Sequence, residues 1–397
     1  MAGFMVRSIM SEQLSSYRYV KNLRNRVVYS IGDTHGRGRE VIEFISKLEI
    51  RSSLEAEDRP VFVQLGDLCD HFALPTDKSW ENLSRLNAAL ADSSSALHDA
   101  LYSGIEFGDW HRESDCICGY YTGSGLLEVR DAELQAALYS ALKSYETLVL
   151  YRAIQQRHPD EFCVVFGNHD ADLIRGNCAY GRRQKHILFG LLGFEPDEVR
   201  AHMMEGGTPK KLLERSPYLA WLNDRPHLAM SSDTIYMHGG PTSALSELLA
   251  QGGCEAFEQW LAQVDAARCT GEDGRHFEAP VFEEHRSFLA PDGAENDWLK
   301  SPQRILSFLK AAKRQYLAVG HSPFLDFEKG LILDLSDPGL KSRITTPALL
   351  SPEGRLVKHD TDMKRVGGLW ACRHEVDTQI WTAVRADDMQ VYEIRRG

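Results

Sequence analysis

Acidic, amide and imidazole side chains stand beside glycine at five places along this chain: Asp33 and His35, Asp67, Asn168 and His169, His238, and His321. Asp33 and His35 alternate along an extended segment, with Thr34 between them, so both side chains can point toward one ion. Asp67 is a carboxylate able to bridge two cations. Asn168 offers a neutral carbonyl oxygen, and His238 and His321 offer imidazole nitrogen. Such a mixed set of nitrogen and oxygen donors suits Mn, Fe or Zn better than Ca or Mg. Two such cations about 3.5–4 Å apart can clamp a phosphoryl group and convert a bridging water into hydroxide near neutral pH. His169 need not be a ligand. A histidine beside the ions, oriented by a carboxylate, can protonate a leaving alkoxide, and Asp70, shortly after Asp67, is the natural orienting group.

The elements that must position these groups share one pattern. Apolar runs at Val27 to Ile31, Val61 to Leu65, Phe162 to Phe166, Ile235 to Met237 and Tyr316 to Val319 each end in a glycine-flanked polar tip. The runs read as short buried strands, and a helix is expected over Glu40 to Leu48 from the spacing of Val41, Ile42, Phe44, Ile45 and Leu48. Helical segments between strands predict an α/β layered fold, and in such folds ligand sites gather beyond the carboxyl ends of the strands. Further strands are expected in the C-terminal tail at Leu331 to Leu335, Gly368 to His374, Gln379 to Val384 and Gln390 to Ile394.

The five tips resemble the motifs of the phosphoprotein phosphatase family of calcineurin-like metallophosphoesterases, as a divergent bacterial member. They stand here as Gly32-Asp33-Thr34-His35-Gly36, Gly66-Asp67-Leu68-Cys69-Asp70, Gly167-Asn168-His169-Asp170, His238-Gly239-Gly240 and Gly320-His321-Ser322. The resemblance covers under half of the chain. It implies a β-sandwich of two mixed sheets flanked by helices, with a helical insertion. It places one metal on Asp33, His35 and Asp67 and the other on Asp67, Asn168, His238 and His321. It makes His169 the general acid and Asp70 its partner. Two divalent ions are implied, Mn first, with Fe or Zn as alternatives. The family's phosphate-gripping Arg after the second motif is His71 here, followed by Phe72. The substrate phosphate therefore needs another donor, and His71, Arg175, Arg286 and Lys300 are the candidates. Gly-Asn-His-Asp, where the family has Gly-Asn-His-Glu, is shared with bacterial diadenosine tetraphosphate hydrolases.

The domain reading is an N-terminal extension over 1–25 and a catalytic domain over 26–397. Insertions fall at about 72–139 and 182–215, and a β extension at about 336–397. The first insertion reads as a lid, a substrate-selecting wall or a homodimerisation hairpin. The composition is ordinary for a globular protein, with 43% hydrophobic and 26% charged residues. A net charge of -12 argues against a broad nucleic-acid surface. The 8 cysteines are scattered and read as reduced, buried thiols; a zinc site at Cys116 and Cys118, with His111, lacks enough ligands. No apolar run is long enough to span a membrane and no signal peptide is read. The expected location is the cytoplasm, with export by a signal-independent route compatible with it. The expected partner is a phosphorylated protein or small phosphoester. The expected function is a phosphomonoesterase acting on phosphoserine/threonine or phosphotyrosine. The alternatives are a dinucleoside polyphosphate hydrolase and a non-catalytic binding protein on the same fold.

Overall fold

The structure is a computed structural model and describes residues 18–24, 27–48, 59–69, 132–175, 188–189, 192, 194, 214–270, 302–321, 325–326, 331–332, 349–350, 356–358, 369–378, 381–386, 389 and 391–393. The alternation of side chains explains its layers. In the strand Val61–Gln64 (β3), Val61 and Val63 join an apolar cluster with residues of a second sheet, among them Tyr236 and Ala318. Phe62 points the other way and stacks on Tyr29 with ring centroids 5.1 Å apart. Two sheets thus pack face to face, and each keeps its outer face for helices.

The first sheet runs, in order, Val20–Asn22 (β1), Leu228–Met230 (β5), Thr234–Met237 (β6), Tyr316–Val319 (β7), Leu356–Lys358 (β11) and Leu349–Leu350 (β10). The second runs Val391–Glu393 (β14), Trp381–Arg385 (β13), Trp370–Glu375 (β12), Val27–Ile31 (β2), β3 and Phe162–Val164 (β4). A small hairpin joins Leu325–Asp326 (β8) to Leu331–Ile332 (β9). Both main sheets are mixed. β2, β3 and β4 are mutually parallel, as are β6 and β7, so their carboxyl ends emerge on common edges.

Helices Gly38–Lys47 (α1) and Ala132–Arg157 (α2) cover the second sheet; Tyr151 of α2 meets Phe162 of β4 edge to face at 5.2 Å. The short helix Pro217–Asn223 (α4) packs along α2, where Tyr218 meets Tyr145 and Trp221 donates to Gln155, and the helix Asn168–Arg175 (α3) packs against α4. Ser216 caps α4 by accepting from Leu219 N–H, with Pro217 at its first position. Ser243–Thr270 (α5), kinked at Gly253, lies on the first sheet through Cys254 and Met230, and Pro302–Ala311 (α6) packs beside it. No helix among the described residues is long and apolar enough to cross a membrane.

Two terminal segments are more deeply built in than their sequences suggested. The N-terminal stretch read as an extension over 1–25 includes β1, with Tyr19 and Val20 buried and β1 paired to β5. A three-residue strand is too short to announce itself by period. From the tail, β12 pairs with β2 in the middle of the second sheet, and β11 pairs with β7 in the first. The expected strand Leu331 to Leu335 is seen as β9, and its remainder lies outside the described residues. The helix read at Trp80 to Leu101, Cys116, Cys118 and His111, and most of 182–215 also lie outside them. The four described free cysteines, Cys69, Cys163, Cys254 and Cys372, are buried or half-buried.

A buried imidazole–carboxylate contact ties the tail to the first sheet. His374 on β12 contacts Asp233, just before β6, at 3.0 Å, and both side chains are inaccessible to solvent. Asp233 also accepts from the hydroxyls of Ser231 and Thr234 and from Asp377 N–H. Burial pushes the Asp233 carboxyl up, but His374 and these donors outweigh it and hold the group below its ordinary value. A depressed native value means that this stabilisation is complete above the unfolded carboxylate's value of about 3.9 and is lost as pH falls through the native one. Asp233→Asn should therefore flatten the acid limb of the stability curve while leaving its shape near neutrality, as chemical denaturation across pH will show. Separately, a Cβ on Gly38 would stand 2.8 Å from Thr147 Cα, where α1 crosses α2. Gly38→Ala should cost about 1–3 kcal/mol by overpacking, measured by urea unfolding.

Candidate active site

The tips of β2, β3, β4, β6 and β7 converge at one end of the sandwich. Short backbone hydrogen bonds lock them together. Thr34 and His35 N–H both donate to Asp67 O, Gly36 N–H donates to Leu68 O, and Gly320 N–H donates to His238 O. The parallel register of β2 with β3 and of β6 with β7 sets these loops side by side. Six of the predicted residues, Asp33, His35, Asp67, Asn168, His238 and His321, are brought together. Two groups have ligand atoms all within 4.8 Å of one another: Asp33, His35 and Asp67, and Asp67, His238 and His321. Asp67 belongs to both, the place a bridging carboxylate must occupy.

The donor chemistry fits a cation. His238 donates from Nδ1 to Leu65 O at 2.6 Å, which turns Nε2 toward Asn168 Oδ1 at 2.8 Å and Asp67 Oδ1 at 3.3 Å. Nε2 therefore faces two oxygen acceptors, an arrangement that a proton on Nε2 satisfies and that a bound cation can take over. Burial alone would lower the His238 imidazole, but Asp67 and Asp33 outweigh it and raise it well above its ordinary value. Burial would raise the Asp67 carboxyl, yet His238, His169 and His35 hold it well below. His35 is lowered, chiefly by burial. A neutral imidazole is the form that ligates.

Backbone conformation is unusual at three of the six positions. His35 (φ 42), Asp67 (φ 53) and His321 (φ 65) all sit in the left-handed region that side-chain-bearing residues rarely adopt. Glycine makes room for the ligand groups. A Cβ on Gly167 would overlap Asp67 N and Oδ1, and one on Gly320 would stand 2.5 Å from Asp33 Oδ1. Asp33 Oδ1 is already held by His321 N–H at 3.1 Å, and Asp67 Oδ1 by His169 N–H at 2.9 Å.

His169 is largely buried; its Nε2 lies 3.8 Å from Asp67 Oδ2, and its ring meets that of His35 edge to face at 5.3 Å. Asp70 and His71 lie outside the described residues, as do Arg286 and Lys300. Arg175 ends α3, and its side chain lies outside the description as well.

Two further residues hold the site and were not singled out from sequence. Gln64 donates from Nε2 to Gly32 O and Gly66 O and accepts from Gly66 N–H, joining the β2 and β3 tips. Its signal was a lone polar residue inside the apolar run Val61 to Leu65. Asp170 is fully buried and accepts from Leu68 N–H at 3.0 Å and Gly167 N–H at 2.9 Å. Burial, helped by the Asp67 charge, pushes its carboxyl up to about 7. Asp170 thus clamps the second tip to the third.

Two mixed sheets face to face, helices on both outer faces and ligand-type residues at converging strand ends define the calcineurin-like phosphoesterase fold. A cold-active protein tyrosine phosphatase has this fold: it superposes with a TM-score of 0.55 at 12% identity, over 95% of this chain and 81% of that one. Another structure of a cold-active protein-tyrosine phosphatase, from a psychrophilic Shewanella, gives 0.49 at 12% identity, over 95% of this chain and 82% of that one. A protein serine/threonine phosphatase of Saccharomyces cerevisiae gives 0.46 at 12%, over 99% and 90%. The fold assignment rests on the first. No family model matches the sequence, and no curated protein does.

Gly167→Ala tests the fit directly. The added methyl must displace the Asp67 carboxylate, so Mn affinity measured by calorimetry should fall at least about tenfold, on the scale of displaced ligand support, while the circular dichroism spectrum stays that of the wild type.

Proposed function

We propose that this protein is a two-metal phosphomonoesterase acting on phosphorylated proteins. The observation that carries the reading is the convergence of His238 Nε2, Asn168 Oδ1 and Asp67 Oδ1, beside a second group that shares Asp67. Asp33, His35 and Asp67 would hold one divalent cation, and Asp67, Asn168, His238 and His321 the other. When bound, such a pair supplies Lewis-acid polarisation of the phosphoryl group and a water activated for attack. The chain's own residues do the remainder. Asp67 centres the site, and its loop is kept in a costly conformation by Asp170 and Gln64. His169 stands at the edge of the ligand set, where it can give a proton to the departing oxygen of the ester. Burial of the ligand groups keeps water from screening them.

The superposed tyrosine phosphatase supports phosphoester chemistry on this fold. Manganese is the proposed metal on the strength of the mixed nitrogen and oxygen donors. Hydrolysis of a dinucleoside polyphosphate is the alternative reading, resting on Gly-Asn-His-Asp and on His71 in place of the family's Arg.

The purified protein should hydrolyse para-nitrophenyl phosphate with added Mn and lose turnover in Asp67→Asn. His169→Ala should slow release of phosphate from a phosphoserine peptide by about 10²–10⁴-fold, yet slow para-nitrophenyl phosphate far less, since nitrophenolate hardly needs a proton. Equal losses on both esters would remove His169 as the acid, and absence of Mn-dependent turnover on either would remove the function.

A further inference from the structure

Behind the Asp33–His35 loop lies a group of polar atoms that the reaction does not use. Thr34, between the two candidate ligands, is 1% exposed, and its Oγ1 is buried without a hydrogen-bond partner. The same holds for the Tyr151 hydroxyl on α2 and for Glu40 Oε2 in the first turn of α1. The backbone brings them together: α1 crosses α2 where Gly38 N–H donates to Thr147 Oγ1 at 2.9 Å, one turn before Tyr151 and two residues before Glu40, and Arg37 N–H at the start of α1 donates to Thr34 O at 3.0 Å. Burial is the main cause that pushes the Tyr151 phenol up, with the Glu40 and Asp170 carboxylates adding to it and the nearby Thr34 hydroxyl opposing it. A loop and two helices thus each contribute one polar atom to the niche under the site. Buried polar groups without partners are rare, and a buried water typically makes about three hydrogen bonds to groups of this kind.

An independent observation points to the same loop. His35, next to Thr34, has a φ of 42, and a side-chain-bearing residue holds that conformation only where its surroundings enforce it. Asp67 O holds the loop through the Thr34 and His35 amides. On the side of α1, the bond from Arg37 N–H to Thr34 O holds it as well.

We infer that Thr34, Tyr151 and Glu40 form a polar niche, closed by one water molecule, that positions the Asp33–His35 loop for its cation. Thr34 and Tyr151 are positioning residues and touch neither metal nor substrate. This inference rests on the two-metal reading for its consequence but not for its geometry.

Tyr151→Phe removes one hydroxyl at nearly constant shape, and Thr34→Val does the same at the loop, while Thr34→Ser restores the hydroxyl. Amide hydrogen exchange at residues 33–36 of the full chain without metal should speed up by about tenfold or more in the first two variants. Mn affinity by calorimetry should fall by about 10–100-fold. Thr34→Ser should return both to wild-type values. Exchange and Mn affinity unchanged in Tyr151→Phe would overturn the inference, as would faster exchange spread evenly along α1 and α2, the mark of general loosening. Should the wild type bind no Mn, the two-metal reading fails, and the local exchange rates still decide whether the niche holds the loop.

Discussion

One imidazole nitrogen held against a carboxylate and an amide oxygen is the constraint on which the site depends. His238 Nε2, Asn168 Oδ1 and Asp67 Oδ1 converge from three different strand ends. The carboxylate and the amide oxygen both need a positive partner there, and His238, raised by Asp67 and Asp33, supplies it until a cation takes its place. The protein enforces it through Leu65 O, which fixes the His238 tautomer, and through Asp170 and Gln64, which bolt the second tip to its neighbours. The surrounding layers supply the rigidity: the strands bearing the tips are short, parallel and packed between sheets and helices.

Strain and space are distributed to the same end. Left-handed backbone occurs at His35, Asp67 and His321, where a turn must present a side chain inward. Glycine stands at Gly167 and Gly320, where a Cβ would collide with Asp67 or Asp33. Each glycine serves the approach of another residue's carboxylate, so the repeated pairing of glycine with a polar tip is a steric consequence of crowding several ligands into one small volume. The buried Asp233–His374 pair sits before β6 rather than after it, at the other end of that strand from His238. It ties the tail into the sandwich without touching the site.

Much of the candidate site was legible because its signals are local. An apolar run of period-two residues ending in Gly-Asp or Gly-His says both that a strand ends and that a polar group is delivered there. Other parts were hidden for definite reasons. Gln64 looks like a break in an apolar run until its amide is seen to bridge two tips. Asp170 stands beside the candidate acid in its motif, and only its orientation shows that it clamps one tip to another. Val20 to Asn22 are too few for a period to register, and their strand exists through pairing with β5.

The residue types and their order along the chain determined, without any structure, which groups were available as ligands, that they sit at strand ends, and that the fold would be layered α/β. Those properties follow from side-chain chemistry and short-range periodicity. Tertiary structure alone decided which atoms meet: that Asp67 is shared by both ligand groups, that His238 presents Nε2 rather than Nδ1, that Asp170 faces inward, and that β12 lies at the centre of its sheet. These depend on contacts between residues far apart in the chain, such as Leu65 with His238 and Ser30 with Cys372. Their geometry is fixed by how whole layers pack, which no local pattern encodes.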